Sequence, residues 1–507
     1  YFITMGHDKD FTFKPTVFDD GKRIIQNEFR KVTEKSSLIT DFSITTGYKS
    51  STDEDKKNIN HFFLNYKKDL SLPNYVNSNL EANLQRVNND TYLKVFQNNL
   101  YSFESDVLPT SKSTMTSNVN FDLEHEDYYF SSNFQVFEEL GQKHSDRYQY
   151  VLPSYNFSRN LKINNFDGSV SFNSDGSNNL KDTNNLRTSV TNDVNINSKD
   201  YFSNLGFKNN FNIYFKNLNS LGKNDPTYRS SPRIEAMSIA EVGTSLPLVK
   251  RDSSKNEIIT PKISFRANPG NNMKDSSSSN RLINADNIFE INRLGLSDSY
   301  EAGKSLTLGI DYKLDFIDDL SKKQENELIK DKYLELKLAT VFRDKIETEI
   351  PKSSTLNQKN SNLYGSINNE LFETASLNYN FSIDNNFETF DSHSLGLNFE
   401  INNFITEFNY EEQKGDIGSN HSHSTNIAYN FDENNSFSFS TRRNKKINLT
   451  EYYNLAYEYK NDCLTASIKF NKTFYQDNDL VPEENLFFTI SLIPLTTYER
   501  SIYKKTN

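Results

Sequence analysis

Residues 374–383 read TASLNYNFSI. Ala375, Leu377, Tyr379, Phe381 and Ile383 are apolar or aromatic, and Ser376, Asn378, Asn380 and Ser382 between them are polar. Period-two alternation gives a β-strand one greasy and one polar face. In a soluble sandwich a second sheet would cover the greasy face, and the whole chain would carry a core-forming composition.

The composition points elsewhere. Of 507 residues only 35% are hydrophobic, and mean hydropathy is -0.75. Globular domains are ~45–50% apolar with Gly counted. Yet there are 39 Phe and 28 Tyr, with no Trp, which is too aromatic for a disordered chain. A polar chain with aromatics two apart fits a transmembrane β-barrel, in which lipid covers the apolar face and the inner face stays wet. No apolar run reaches the ~18 residues that a membrane helix needs.

The net charge of -11 and pI of about 5.3 argue against non-specific nucleic-acid binding. Cys463 is the single cysteine, so the chain forms no internal disulfide. Alone it reads as a small buried hydrophobe. The sequence opens on Tyr1 in mid-pattern, and we expect a fragment lacking its N-terminal part and signal peptide.

Alternation recurs over 1–5, 11–19, 22–32, 36–48, 59–67, 76–87, 114–124, 127–138, 146–158, 167–173, 186–197, 205–217, 234–250, 256–267, 305–317, 332–343, 363–370, 373–383, 391–401, 404–412, 421–431, 436–444, 450–460, 462–473 and 486–495. Most are near the ~9–11 residues a tilted strand needs to cross a bilayer. The expectation is an all-β, closed antiparallel transmembrane barrel of about 24–26 strands, spanning 1–507 as one domain. Tight turns such as Asp19-Asp20-Gly21, Asp384-Asn385-Asn386 and Asn402-Asn403 contrast with long polar connections at 49–58, 218–232, 268–287 and 344–362. The stretch 273–280 is low-complexity, and 319–331 has the charge of a short loop helix.

Little in the chain looks like chemistry. His421 and His423 offer a two-ligand metal edge, with no third ligand nearby in sequence. Asp53, Glu54 and Asp55 read as a charged loop. The basic run at 442–446 sits at a strand end, where cations meet lipid headgroups. No hydrolase, P-loop or dinucleotide signature stands in usable context. We expect no enzyme, cofactor or metal.

Six stretches in order resemble one family, the lipopolysaccharide-assembly outer-membrane protein LptD. They are 1–30, with Tyr1, Phe2, Asp8, Asp10, Thr12, Pro15, Glu28, Phe29 and Arg30; NNDTYLKVF at 88–96, with Asp90, Thr91, Tyr92 and Leu93; YVLPSYNF at 150–157; 246–270; DNIFEINRLGLSDSYEAG at 286–303, with Asn292, Arg293, Asp298 and Gly303; and YKNDCLTASIKFNKTF at 459–474. Leu294 and Ser299 depart from the pattern.

The resemblance implies a 26-stranded barrel in the outer membrane of a Gram-negative bacterium. It implies lipopolysaccharide as cargo, an LptE-like lipoprotein plug, outer-membrane lipids around the wall, and a periplasmic bridge reached through an N-terminal domain absent here. It implies a lateral gate between first and last strands, carried by Tyr1, Phe2, Ile3 and Pro15 on one side and Phe488, Ile490, Leu492 and Pro494 on the other. It also implies a disulfide from Cys463 to that N-terminal domain. On the residues alone, proline donates no ladder hydrogen bond, so Pro15 and Pro494 would weaken such a seam. The alternatives are a passive porin-like channel or another outer-membrane transporter, a 22-stranded TonB-type one included, and a non-transport β-rich surface protein.

Overall fold

The computed structural model describes residues 1–19, 21–48, 58–101, 107–270, 281–316, 332–372, 374–446, 448–474, 483–492 and 496–506. Among them 28 strands form one antiparallel sheet. In chain order they are β1 Phe2–Thr4, β2 Lys9–Val17, β3 Arg23–Thr33, β4 Ser36–Thr46, β5 Asn58–Asp69, β6 Asn77–Val87, β7 Thr114–Glu124, β8 Tyr128–Glu139, β9 Tyr148–Leu161, β10 Gly168–Lys181, β11 Asn185–Ser198, β12 Tyr201–Phe202, β13 Lys208–Lys223 and β14 Arg233–Ser245. They continue as β15 Leu248–Arg251, β16 Lys255–Ala267, β17 Lys304–Phe316, β18 Lys332–Arg343, β19 Leu363–Phe372, β20 Ala375–Ile383, β21 Phe390–Ile401, β22 Phe404–Gln413, β23 His421–Asn430, β24 Asn435–Asn444, β25 Leu449–Lys460, β26 Leu464–Thr473, β27 Glu483–Leu492 and β28 Thr496–Thr506. Two four-residue helices, α1 Tyr92–Val95 and α2 Gln97–Leu100, lie between β6 and β7.

The strand count exceeds the expectation for identifiable reasons. β11 and β12 both pair with β13, and β14 and β15 both pair with β16. Merging each short strand with its predecessor reduces 28 strands to 26 rows. The second interruption, at Leu246–Pro247, falls opposite Pro261, whose carbonyl accepts from the Leu246 N–H. Pro247 and Pro261, one position out of register, each lack an N–H, so the ladder has two donors fewer there.

The sheet is inside out by the standard of a soluble protein. On β20, Asn378 lines a polar cavity together with Gly396 and Asn409, so by the pleat Leu377, Tyr379 and Phe381 point the other way. On that outer face Leu397, Phe399, Ile401, Phe404, Leu455 and Ile468 stand exposed. On the inner face sit Gln26, Asp41, Ser43, His61, Glu241, Ser264 and Ser422, all buried or nearly so. An exposed apolar band over a polar inner wall is what a lipid-embedded barrel requires.

Strict antiparallel pairing places the connections 47–57, 88–113, 224–232, 268–303 and 344–362 at one end, and 34–35, 125–127, 373–374, 402–403 and 461–463 at the other. The connection 317–331, outside the described residues, is the long exception at the short-turn end. The described parts of 88–113, 268–303 and 344–362 reach back onto the inner wall. There they create the apolar cores: Tyr92, Leu93, Phe96 and Leu100 on Ile24, Ile59, Phe63 and Val87, and Ile288, Leu294, Ile350 and Leu356 on Ala339, Val341 and Tyr364.

Among the described residues the expected seam between 1–19 and 486–495 does not form. Segment 486–495 is not the last strand: β27 pairs with β26 on one edge and β28 on the other. Its Phe488, Ile490 and Leu492 therefore belong to an interior strand, and Pro494 lies outside the described residues. Tyr1, Phe2 and Ile3 are exposed at the sheet edge, and among the described residues no ladder joins β1 to β28. Pro15 costs the β2–β3 ladder no donor. The Phe13 N–H donates to Tyr1 O at 2.7 Å, so Pro15, of the same parity, turns its nitrogen to that edge beyond the end of β1 rather than to β3.

Candidate functional site

Two loop inserts, the second flanked by 344–362, lie on the inner wall beside one open groove. The first insert carries Asp90, Thr91 and Tyr92. Asp90 accepts from Arg147 Nη2 at 2.8 Å, and Thr91 Oγ1 donates to Asn89 Oδ1 at 3.2 Å. The Tyr92 ring is fully buried, and its hydroxyl meets Ser43, Thr45 at 3.4 Å and His61 Nδ1 at 3.2 Å. Burial pushes that hydroxyl up to about 12. Beneath it, His61 Nε2 donates to Asp41 Oδ1 at 2.8 Å while Ser43 Oγ lies 2.9 Å from Nδ1. This carboxylate–imidazole–hydroxyl row is sealed by Tyr92 and anchors the insert. Sequence reading missed it because its members sit on two different strands.

The second insert, 281–303, brings Asn292, Arg293, Asp298 and Gly303 to the wall. Asn292 holds a turn, accepting from the Leu296 N–H at 3.0 Å and donating to its carbonyl at 2.9 Å. Arg293 is completely buried and grips Glu301 through Nε at 2.7 Å and Nη2 at 2.5 Å. Its remaining donors reach Thr307 Oγ1 at 3.0 Å and Ser305 Oγ at 3.1 Å on β17. Arg266 of β16 spans Glu241 of β14 at 3.4 Å and Glu301 at 3.5 Å, and Arg343 of β18 also pairs with Glu301. Burial alone would raise the Glu301 carboxyl, but Arg293, Arg343 and Arg266 outweigh it and hold it well below the usual carboxylate range. Asp298 accepts from the Tyr228 hydroxyl at 3.3 Å. Gly303 has φ +78° and lies against Glu347, where a Cβ would collide with the carboxylate.

The groove lies on the inner faces of β20–β25, a cavity of about 590 Å³ lined by Ser376, Asn378, Asn398, Asn409, Ser424 and Tyr452 among others. A smaller cavity of about 130 Å³ shares Ser394 and Glu411 with it and is walled by Leu282, Ile283 and Asn284 of the second insert. The docked insert thus borders the groove at the long-loop end.

The other sequence candidates scatter. On the outer face His421 Nδ1 is 3.8 Å from Glu412, which also meets His393 Nε2 at 2.8 Å. His423 stands across from Tyr410 and Arg443. No group of three metal ligands forms among the described residues. Asp53, Glu54 and Asp55, 273–280 and 319–331 lie outside the described residues. The basic run divides, with Arg442 lining the groove and Arg443 on the opposite face. Cys463 is exposed in a short turn rather than buried.

No protein family model matches the chain, and no curated protein does. Similar solved structures include the ferric-catecholate import receptor Fiu of E. coli K12 in its open form, at 8% identity and TM-score 0.31, covering 92% of this chain and 77% of that one. Copper transporter OprC is similar at 8% identity and TM-score 0.36, covering 97% and 80%. The siderophore receptor PiuA of Acinetobacter baumannii is similar at 9% identity and TM-score 0.26, covering 92% and 78%.

This chain folds as one large antiparallel all-β sheet with an exposed apolar face, the architecture of a transmembrane β-barrel. Its resemblance to the lipopolysaccharide-assembly family is overturned: no family model supports it, and the similar structures reported are import receptors and a transporter. Lipopolysaccharide, the LptE-like plug, the outer-membrane lipids as specific partners and the periplasmic bridge fall with it. The motif residues of the barrel keep a physical role as insert anchors.

Proposed function

We propose that residues 1–507 form one transport barrel that passes small polar solutes across the outer membrane along its inner wall, without bond chemistry. The observation that carries this reading is the division of that wall. Where the inserts dock it is covered, by apolar packing together with buried ion pairs and hydrogen bonds; along β20–β25 it is an uncovered groove of amides and hydroxyls. A wall needed only for structure has no reason to leave such a groove beside a docked insert. The inserts narrow the passage from the long-loop end, so passage is selective rather than porin-wide.

The test is reconstitution. In proteoliposomes the folded barrel should admit small neutral solutes above the protein-free background. Glu301→Gln should raise the rate and the size limit by loosening the second insert. A folded, heat-modifiable barrel that admits no solute in either form would refute the reading.

A further inference from the structure

We propose that the β20–β25 groove is a binding site for a neutral saccharide; this rests on the transport reading above and names its solute class.

The groove is polar, and the one cation in its lining is paired. Its lining includes one cation and one anion, and both are engaged. Arg442 Nε is 3.4 Å from Glu451, and Glu411 accepts from Gln413 Nε2 at 2.7 Å and Asn420 Nδ2 at 2.8 Å. An anion such as phosphate, a carboxylate or a ferric chelate would need uncompensated cations, and a metal ion would need free carboxylates. Neither is offered.

What the groove does offer is unspent hydrogen-bonding capacity. Among the described residues Asn398, Asn409, Ser394 and Ser424 make no side-chain hydrogen bond, although each lines the cavity. Asn378 and Asn380 form a fixed amide row, with Asn380 Nδ2 donating to Asn378 Oδ1 at 2.7 Å and Asn378 Nδ2 to Asn368 Oδ1 at 2.6 Å. Amides and hydroxyls that both donate and accept suit polyhydroxylated partners. Gly396 lies between these rows; a Cβ there would touch Asn409 Oδ1 at 3.5 Å and Asn378 Cβ at 3.9 Å. The missing side chain keeps the floor open. Tyr452, paired across from Arg442 on the inner face, adds an aromatic surface for the C–H face of a sugar ring. A volume of about 590 Å³ falls within the range of small-molecule sites and far exceeds the need of a single ion.

The chain contains no Trp, so Tyr452→Trp places a single indole, excited to the red of the tyrosines, in the groove. The refolded variant, in a detergent without a sugar headgroup, would be titrated with maltotriose and raffinose, and separately with citrate and inorganic phosphate. Calorimetry of the unmodified barrel with the same solutes decides the matter if the variant misfolds or its indole blocks the site. Saturable binding of a saccharide, weakened at least tenfold by Gly396→Phe or Asn409→Leu, is expected. Saturable binding of citrate or phosphate instead, or of nothing in the panel by either method, overturns the proposal. Solute uptake that persists without saccharide binding overturns this inference alone. Saccharide binding without uptake supports the site and overturns the transport reading.

Discussion

Arg293 and Glu301, eight residues apart in one connection, close on each other as a two-point ion pair against the inner wall, Nε to Oε2 at 2.7 Å and Nη2 to Oε1 at 2.5 Å. Arg266 and Arg343 share the same carboxylate from two further strands. Removing one partner of a buried pair costs about 3–5 kcal/mol, because the other charges are left uncompensated. Glu301→Gln should therefore undock 281–303 while the strands stay paired. Limited proteolysis should cut that segment early in the variant, with unchanged heat-modifiable migration of the barrel. Protection equal to wild type would show that apolar packing alone holds the insert.

The same carboxylate sets a pH response. Its folded value lies below the ordinary glutamate value of 4.5, so the unfolded state binds the proton more readily. The stabilisation is then complete above about 4.5 and is lost as pH falls further, through the depressed folded value. Hydrogen exchange of 281–303 should stay slow from pH 7 down to pH 5 and quicken only in stronger acid. Release between pH 7 and pH 5 would assign the control to a histidine.

The strands were legible because lipid imposes the same alternation everywhere, and TASLNYNFSI carries it without interruption. β28 escaped because a bulge breaks the period. Tyr503 pairs with Leu486 and Ser501 with Phe487, leaving apolar Ile502 as the extra residue. The insert motif around Arg293 was visible, but its docking was not, since Arg266 and Arg343 stand 35 and 42 residues from Glu301. The groove had no sequence signal at all. Its Asn and Ser residues are commonplace singly, and only the register of β20–β25 pools them. Strand and turn patterns shared by barrels in general also explain how a resemblance could run the length of the chain without kinship.

The orientation of β20 makes a paired test. An Arg facing lipid at the bilayer midplane costs ~2–4 kcal/mol, and far less on a wet wall. Leu377→Arg should lower the folded fraction after refolding into bilayers, whereas Asn378→Arg should assemble normally. Equal tolerance of the two would place both faces in water.

Tyr92 separates packing from hydrogen bonding. Tyr92→Phe keeps the ring among Ile59, Phe63 and Leu93 but strands the buried groups that meet the hydroxyl, a loss of about 1–3 kcal/mol. Tyr92→Ala also opens a cavity and should lose about 3–5 kcal/mol. Urea unfolding of the refolded protein, followed by proteolysis at 88–101, should rank wild type above Phe above Ala. An Ala variant as stable as Phe would mean that the ring contributes no packing.

Cys463 gives the direction of the barrel in the membrane. It is exposed in the 461–463 turn between β25 and β26, at the end opposite the connections 88–113, 268–303 and 344–362. Outer-membrane barrels keep short turns on the periplasmic side and long loops outside. As the chain's single thiol, it reports that side without engineering. In intact cells treated with a mild reductant, a maleimide too bulky to cross the outer membrane should leave Cys463 unlabelled. Permeabilising the outer membrane should then allow full labelling. A serine placed at 463 should remove the signal altogether, excluding reaction elsewhere. Labelling in intact cells would invert the barrel, put the inserts and the mouth of the groove on the periplasmic side, and reverse the direction from which solute first meets Tyr452 and Asn378.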